Sequence, residues 1–289
     1  MDAEKVNTEE AYTIVNGLRI AYQLSGDKNA KPVLALHGWL DNSATYNRLI
    51  PSLSNVRICA MDFVGHGLSD HRPDGTRYHL VDHLYEIDGL LDHLGWDSCV
   101  LIGHSMGAGL AAFYASIFPD RVEKLILLEG LAPPGTEAED APATIRRAIQ
   151  EFKKLSNKKR KAVYADYDDA VGARMVGMMK VSESAARALC SRGLKECEGG
   201  WMWRTDPRLM TTSTIRFTEE LVQSFLSQIK CPALLLLAAD GLLHAFPKMQ
   251  GRIQHLVNCQ VLQLPGGHHF HLEESAELVA AEVNRFLAV

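Results

Sequence analysis

The chain has no C-x-x-C pair among its six cysteines, and no apolar run approaches the roughly 18 residues that suggest a membrane-spanning helix. The first absence argues against a redox dithiol or a zinc ribbon. Cys59 and Cys99 lie inside apolar, strand-like runs and the remaining four (Cys190, Cys197, Cys231 and Cys259) are scattered, so free thiols in a reducing compartment are expected. The opening stretch, MDAEKVNTEEAY, is polar and acidic and lacks the apolar core of a secretory signal, so a cytoplasmic location without a membrane span is expected. Charge of one sign is also lacking. A net charge of −5, with 22% charged residues, gives no general reason to expect a nucleic-acid or membrane partner. Repeats and low-complexity tracts are absent. What remains is a chain of 289 residues, 47% of them hydrophobic, long enough to bury a substantial core as one large domain or a domain with an insertion.

Strand-like and helix-like segments alternate, which predicts an α/β fold with a mostly parallel sheet covered on both faces. Asn16-Gly17 between two alternating runs predicts an opening hairpin. Six short apolar strands follow, at Val33–Leu36, Val56–Met61, Ser98–Ile102, Lys124–Leu128, Ala233–Leu237 and Gln260–Leu264, which makes eight in all. Helices are expected near Ala44–Leu53, Leu80–Leu94, Met106–Phe118, Ala245–Val257 and Glu273–Leu287. The alternation breaks after "LILLEG", where APPGTEAEDAP leads into helices with little strand character until about Phe217. Residues 133–217 are therefore expected to form an inserted helical cap on a core made of 1–132 and 218–289, lying over the sheet's carboxyl edge, where open α/β sheets place their sites. The KKLSNKKRK run (153–161) within it is read as a solvated surface.

Three stretches carry chemistry. In "LIGHSMGAG" (101–109) an apolar strand stops at a serine flanked by glycines and resumes as an alanine-rich helix. Glycines two residues either side let strand turn into helix and push Ser105 out at the tip, the G-x-S-x-G arrangement of an exposed nucleophile. His104, the variable residue of that turn, is expected to pack or hydrogen-bond. In "LALHGWLDN" (34–42) a loop follows an early strand, so the backbone N–H groups of Trp39 and of Met106, which follows the serine, are expected to bind a developing oxyanion, with His37 bracing the loop. In "LPGGHHFHLEE" (264–274) three histidines follow two glycines, and a late histidine fits the Ser…acid…His order that accompanies such a turn. His268 is the expected base. His269 and His271 raise the question of a metal, but no carboxylate or cysteine cluster has ligand spacing with them, and no metal is expected.

Taken together, GHSMG, HGWLD, "MDFVGHGLSDH" (61–71) and GGHHFHLEE resemble the α/β-hydrolase fold superfamily, in particular its capped esterase and haloalkane-dehalogenase-like branch, and within it the serine-hydrolase-like proteins. The resemblance spans nearly the whole chain outside the cap. It implies a cofactor-free hydrolase, with Asp62, Gly65 and Gly67 supporting a turn. Dehalogenases and epoxide hydrolases of this fold use an aspartate where Ser105 stands here, and a serine forms an acyl-enzyme instead. The resemblance leaves two candidates for the acid. Asp240 in "LLLLAADGLLH" is near the commoner location, which Gly241 occupies, while Glu129 in "LILLEG" matches the location used by some dehalogenase-like relatives. Glu129 is the expected acid and Asp240 the alternative.

The expected reaction is cleavage of short to medium acyl esters, a small-molecule substrate class, through an acyl-enzyme on Ser105. C–C bond, lactone or perhydrolase chemistry on the same triad, and a catalytically silent binding protein, are the alternatives. Met175, Met178, Met179, Trp201 and Trp203 of the cap are candidate substrate contacts. Nothing in the sequence indicates an oligomeric state.

Overall fold

The computed structural model describes residues 8–156, 162–177, 179–245, 249 and 251–288. Its strands are β1 (Thr8–Val15), β2 (Leu18–Ser25), β3 (Lys31–Leu36), β4 (Val56–Met61), β5 (Cys99–His104), β6 (Val122–Leu128), β7 (Leu194–Cys197), β8 (Gly200–Trp203), β9 (Ala233–Asp240) and β10 (Cys259–Gly267). The α-helices, in chain order, are α1 (Asp82–Leu94), α2 (Met106–Ile117), α3 (Ala141–Ser156), α4 (Tyr167–Met175), α5 (Glu183–Gly193), α6 (Glu219–Ser227) and α7 (Ala276–Ala288).

Eight strands form one sheet in the order β1-β2-β4-β3-β5-β6-β9-β10. Asn16 and Gly17, both at positive φ, close the β1–β2 hairpin; β2 runs antiparallel to β1 and β4, and every other neighbouring pair is parallel. The central strands are buried on both faces, which is why they read as continuous apolar runs. Alternate side chains divide between two cores. Leu34, Leu36, Leu101, Leu125 and Leu127 pack with α1 and α2, while Val33, Ala35, Val100, Ile102 and Ile126 pack on the other face with Val279, Val283 and Phe286 of α7. Each fully buried valine, leucine or isoleucine among them contributes about 1.5–3 kcal/mol.

Four segments differ from expectation. Residues 44–53 form two 3-10 turns, Ser43–Tyr46 and Ile50–Ser52, rather than one helix; Pro51, within the second turn, lacks the N–H that a continuous helix would need. Of the helix expected over 245–257, Met249 is helical and Gly251–His255 form a 3-10 turn, while 246–248 and 250 lie outside the described residues. The last helix starts at Ala276 rather than Glu273. The stretch 133–217 is not purely helical, because β7 and β8 pair there as an antiparallel ribbon separate from the main sheet.

That stretch contributes no strand to the eight-stranded sheet and carries its own small core of Ala170, Val171, Ala185, Ala186, Leu189 and Cys190. Two arginines tie it to the sheet. Arg192 of α5 donates to Asp62 at 2.7 Å and also pairs with Glu10, and Arg174 of α4 donates to Asp41 at 3.0 Å. Among the described residues no helix is long and apolar enough to cross a membrane, and all six cysteines are free.

Candidate active site

Parallel strands send their carboxyl ends to one edge of the sheet, and that edge collects the residues singled out from the sequence. His37 to Asp41 follow β3, Ser105 follows β5, Glu129 follows β6 and His268 follows β10. Ser105 has φ 52° and ψ −113°, a conformation that L-residues rarely adopt, held by its N–H on Leu128 O at 3.0 Å and its carbonyl on the N–H groups of Ala108 and Gly109. The turn is as tight as its glycines allow. A Cβ on Gly107 would lie 2.1 Å from Leu36 O, so α2 can begin against the end of β3 only with glycine there.

The N–H of Met106 is the first of α2, and among the described residues neither it nor the N–H of Trp39 has a hydrogen-bond acceptor. Two unengaged N–H groups, one at a helix N-terminus, suit a developing negative charge. The loop bearing Trp39 is braced as expected of His37, whose Nδ1 lies 2.7 Å from Gly38 O and whose Nε2 accepts from Phe63 N–H at 3.0 Å. The indole of Trp39 donates to Leu209 O at 3.1 Å.

His268 Nδ1 lies 3.2 Å from Glu129 Oε2. The Glu129 side chain is completely buried, and its two oxygens accept from Ala238 N–H at 3.0 Å and Leu242 N–H at 2.8 Å. A Cβ on Gly241 would lie 2.3 Å from that carboxyl group, so glycine at 241 makes the space that Glu129 fills. Asp240, the alternative acid, is exposed at the end of β9. Among the described residues the Ser105 hydroxyl has no hydrogen-bond partner, although Ser105 and His268 line the same cavity; such contacts commonly tighten only when substrate is bound.

The cavity measures about 980 Å³, at the upper end of small-molecule sites. Trp39 and Leu242 from the sheet side, and Phe152, Tyr164, Met179, Trp203 and Met210 from the far side, line it. Of the expected cap contacts, Met179 and Trp203 therefore border the cavity. Met175 and Trp201 do not line it but pack against the inserted segment's own core, Trp201 edge-on to Tyr167. Met178 lies outside the described residues.

Sequence reasoning missed a cluster beneath the turn, because its members are far apart in the chain. Asp41 accepts from Arg174 at Oδ1, and its Oδ2 lies 2.9 Å from His269 Nε2 and 3.9 Å from His104 Nδ1. Burial alone would raise the Asp41 carboxyl, but its interactions with His269 (the hydrogen bond included), Arg174 and His104 outweigh it and hold the group well below the usual carboxylate range. Burial pushes His104 and His271 well below the usual histidine range, with the neighbouring histidines adding to the shift. His271 Nε2 pairs with Thr45 Oγ1 at 2.9 Å, so this third histidine braces the turn after the loop of Trp39. Asp62 performs the supporting role expected of it, accepting from Ser43 N–H at 2.8 Å and Leu68 N–H at 2.7 Å.

A sheet of this order with a strained serine at its carboxyl edge defines a hydrolase architecture, and comparison with known proteins agrees. The family model described as the alpha/beta hydrolase fold matches residues 31–171. A serine hydrolase-like protein of Danio rerio is 33% identical over 275 residues, which cover 92% of this chain and 84% of that protein. The chain belongs to the α/β-hydrolase family. Among solved structures, a hypothetical protein of Pseudomonas aeruginosa PAO1 is similar at 40% identity and a TM-score of 0.93, over 97% of this chain and 100% of that one. A thioesterase domain from the curacin biosynthetic pathway is similar at 25% identity and a TM-score of 0.82, over 96% and 99% of the two chains.

Proposed function

We propose that this hydrolase is a serine carboxylesterase acting on short to medium acyl esters, with Ser105 as nucleophile, His268 as base, Glu129 as the acid and the Trp39 and Met106 N–H groups as the oxyanion site. One observation carries the reading: a serine in the strained turn shares a cavity with a histidine whose Nδ1 faces a buried carboxylate. Ser105 Oγ attacks the acyl carbonyl carbon while His268 Nε2 takes its proton, and the two N–H groups stabilise the oxyanion. Collapse expels the alcohol, which leaves with the proton from Nε2. Water then gives its proton to Nε2 and its oxygen to the acyl carbon, and collapse of the second oxyanion returns the proton to Ser105 as the acid departs. Glu129 holds the imidazole with Nδ1 protonated and stabilises its cationic form. Residues 133–217 act as a cap, a reading supported by the cavity contacts of Phe152, Tyr164, Met179 and Trp203. A cytoplasmic location belongs to the same reading, supported by six free thiols.

Hydrolysis of p-nitrophenyl esters of graded acyl length, with fluorophosphonate labelling of the same protein, tests the proposal. Expected are turnover that is greatest for a short to medium acyl group, and a single labelled serine lost in Ser105→Ala, which stays folded. Loss of the nucleophile lowers kcat by ~10⁴ or more. Labelling that persists in Ser105→Ala would overturn the assignment of the nucleophile, and a wild type that neither labels nor turns over would make the chain a binding protein.

A further inference from the structure

The proposed reaction leaves the cluster beneath the turn without a chemical task. His104 Nε2 lies 2.9 Å from the carbonyl oxygen of His268. A carbonyl can only accept, so Nε2 carries the proton there and Nδ1 of the neutral ring is a bare lone pair. That Nδ1 is buried, has no hydrogen-bond partner, and faces the Asp41 carboxylate oxygen Oδ2 across 3.9 Å. Two acceptors oppose each other with no donor between them, an arrangement that a cation would relieve. His269 Nε2 approaches the same Oδ2 from another side at 2.9 Å.

We propose that Asp41 Oδ2, His104 Nδ1 and His269 Nε2 form a binding site for a divalent transition-metal ion of the zinc type. A tetrahedral centre with ligands at ~2.0–2.1 Å separates neighbouring ligand atoms by roughly 3.3 Å, and the 2.9 and 3.9 Å separations bracket that spacing. All three candidate ligand atoms lie within 4.8 Å of one another, and all three residues border the cavity. Two imidazoles and one carboxylate select zinc, cobalt, nickel or copper over magnesium or calcium, which prefer oxygen alone. Arg174 holds the other carboxylate oxygen, Oδ1, at 3.0 Å, orienting the ligand as outer partners of metal carboxylates do. Its guanidinium also comes within 3.4 Å of His269 Nε2, so its charge limits the affinity. The ion replaces the proton that His269 Nε2 shares with Asp41, and that ring carries its proton on Nδ1 instead.

The consequence is inhibition, and only this part rests on the proposed function. The rings of His104 and His268 are 4.7 Å apart between centroids. An ion held by His104 in the wall of the cavity sits beside the proposed base and narrows the space open to substrate.

Cobalt(II) titration of the whole protein, followed by visible absorption and calorimetry with zinc as competitor, tests the site without any substrate. One ion per chain is expected, with d–d bands of a four- or five-coordinate nitrogen/oxygen site, equally in wild type and in Ser105→Ala. His104→Phe and His269→Phe should each weaken binding by at least about tenfold, whereas His268→Ala should keep it. Retention of binding in both of the first variants with loss in the third would put the ion on His268 and overturn the proposal, as would the absence of any stoichiometric binding. In the unmutated protein, zinc should move the ¹⁵N resonance of His104 Nδ1 from the bare-nitrogen to the metal-bound range; an unmoved resonance would overturn the site even if the phenylalanine variants failed to fold. Zinc should also slow ester turnover reversibly, with recovery on adding a chelator. Cobalt binding without inhibition would leave the site standing and remove its regulatory consequence.

Discussion

Glu129 and His268 meet through Oε2 and Nδ1 at 3.2 Å, although 139 residues separate them in the chain. The carboxylate is fixed from the other side by the N–H groups of Ala238 and Leu242, so it can turn neither oxygen away without leaving a buried donor unpaired. If this pair orients the base, Glu129→Gln should lower kcat/KM by ~10²–10⁴, because an amide can present its N–H to Nδ1 and hold the wrong tautomer. Asp240→Asn should remain within roughly tenfold of wild type. Steady-state kinetics on a p-nitrophenyl ester, with circular dichroism as a check on folding, separates the two. A crippled Asp240→Asn beside a normal Glu129→Gln would move the acid to the end of β9.

Gly241 gives a second route to the same relationship. Because a Cβ there would lie 2.3 Å from the Glu129 carboxyl group, Gly241→Ala must displace that carboxylate or the turn after β9. Loss of kcat on the order of tenfold or more is expected, since small misplacements of a catalytic group are costly. The cavity wall near Leu242 should change less, leaving KM closer to wild type. Equal kcat in Gly241→Ala and wild type would mean that the Glu129–His268 contact is not rate-determining.

The parts of the site that the sequence made legible are those whose physics is local. β5 is an apolar run because it is buried on both faces, and the glycines around Ser105 are demanded by the 2.1 Å approach of position 107 to Leu36 O. Glu129 is less legible, since its partner lies on another strand, although the glycine at 241 is a visible trace of the space its carboxyl group fills. The Asp41–Arg174 contact spans 133 residues and leaves no periodic signal. Likewise Met175 and Met179 are indistinguishable by composition, and only the fold turns one toward the inserted segment's core and the other toward the cavity. The ribbon of β7 and β8 escaped notice because strands of four residues are too short to establish alternation.

Stability should depend on pH through the buried neutral histidines His66 and His37. Burial, with His37 and His83 adding to it, pushes His66 well below the ordinary histidine value of 6.5. Burial also lowers His37, although Asp62 and Asp41 oppose the shift. Between the folded value and 6.5 the unfolded chain binds more protons, so stability is fully present above about pH 6.5 and declines as the pH falls, by at most about 1.4 kcal/mol per pH unit for each ring. Thermal unfolding should give a level Tm above pH 7 and a falling one below 6.5, and His66→Phe should flatten the slope if it packs without strain. A Tm level from pH 8 down to 5 would contradict the buried, neutral state.

The last prediction concerns what holds the inserted segment to the sheet. Arg192 of α5 is 6% exposed in its side chain and reaches two carboxylates of very different burial, Asp62 at 0% and Glu10 at 48%. Removing one member of a buried pair leaves an uncompensated charge and costs about 3–5 kcal/mol, whereas a half-exposed pair contributes about 0–1 kcal/mol because water screens it. Arg192→Met keeps most of the apolar stem while deleting the charge, so the loss should be governed by Asp62. That carboxylate retains the N–H donors of Ser43 and Leu68, which places the expected loss toward the lower end, about 3 kcal/mol. Glu10→Gln should cost less than about 1 kcal/mol. Urea unfolding of both variants measures the contrast. If the two lose equal stability, the link from α5 to the sheet is carried at its exposed end, and Asp62 is held by its backbone donors alone.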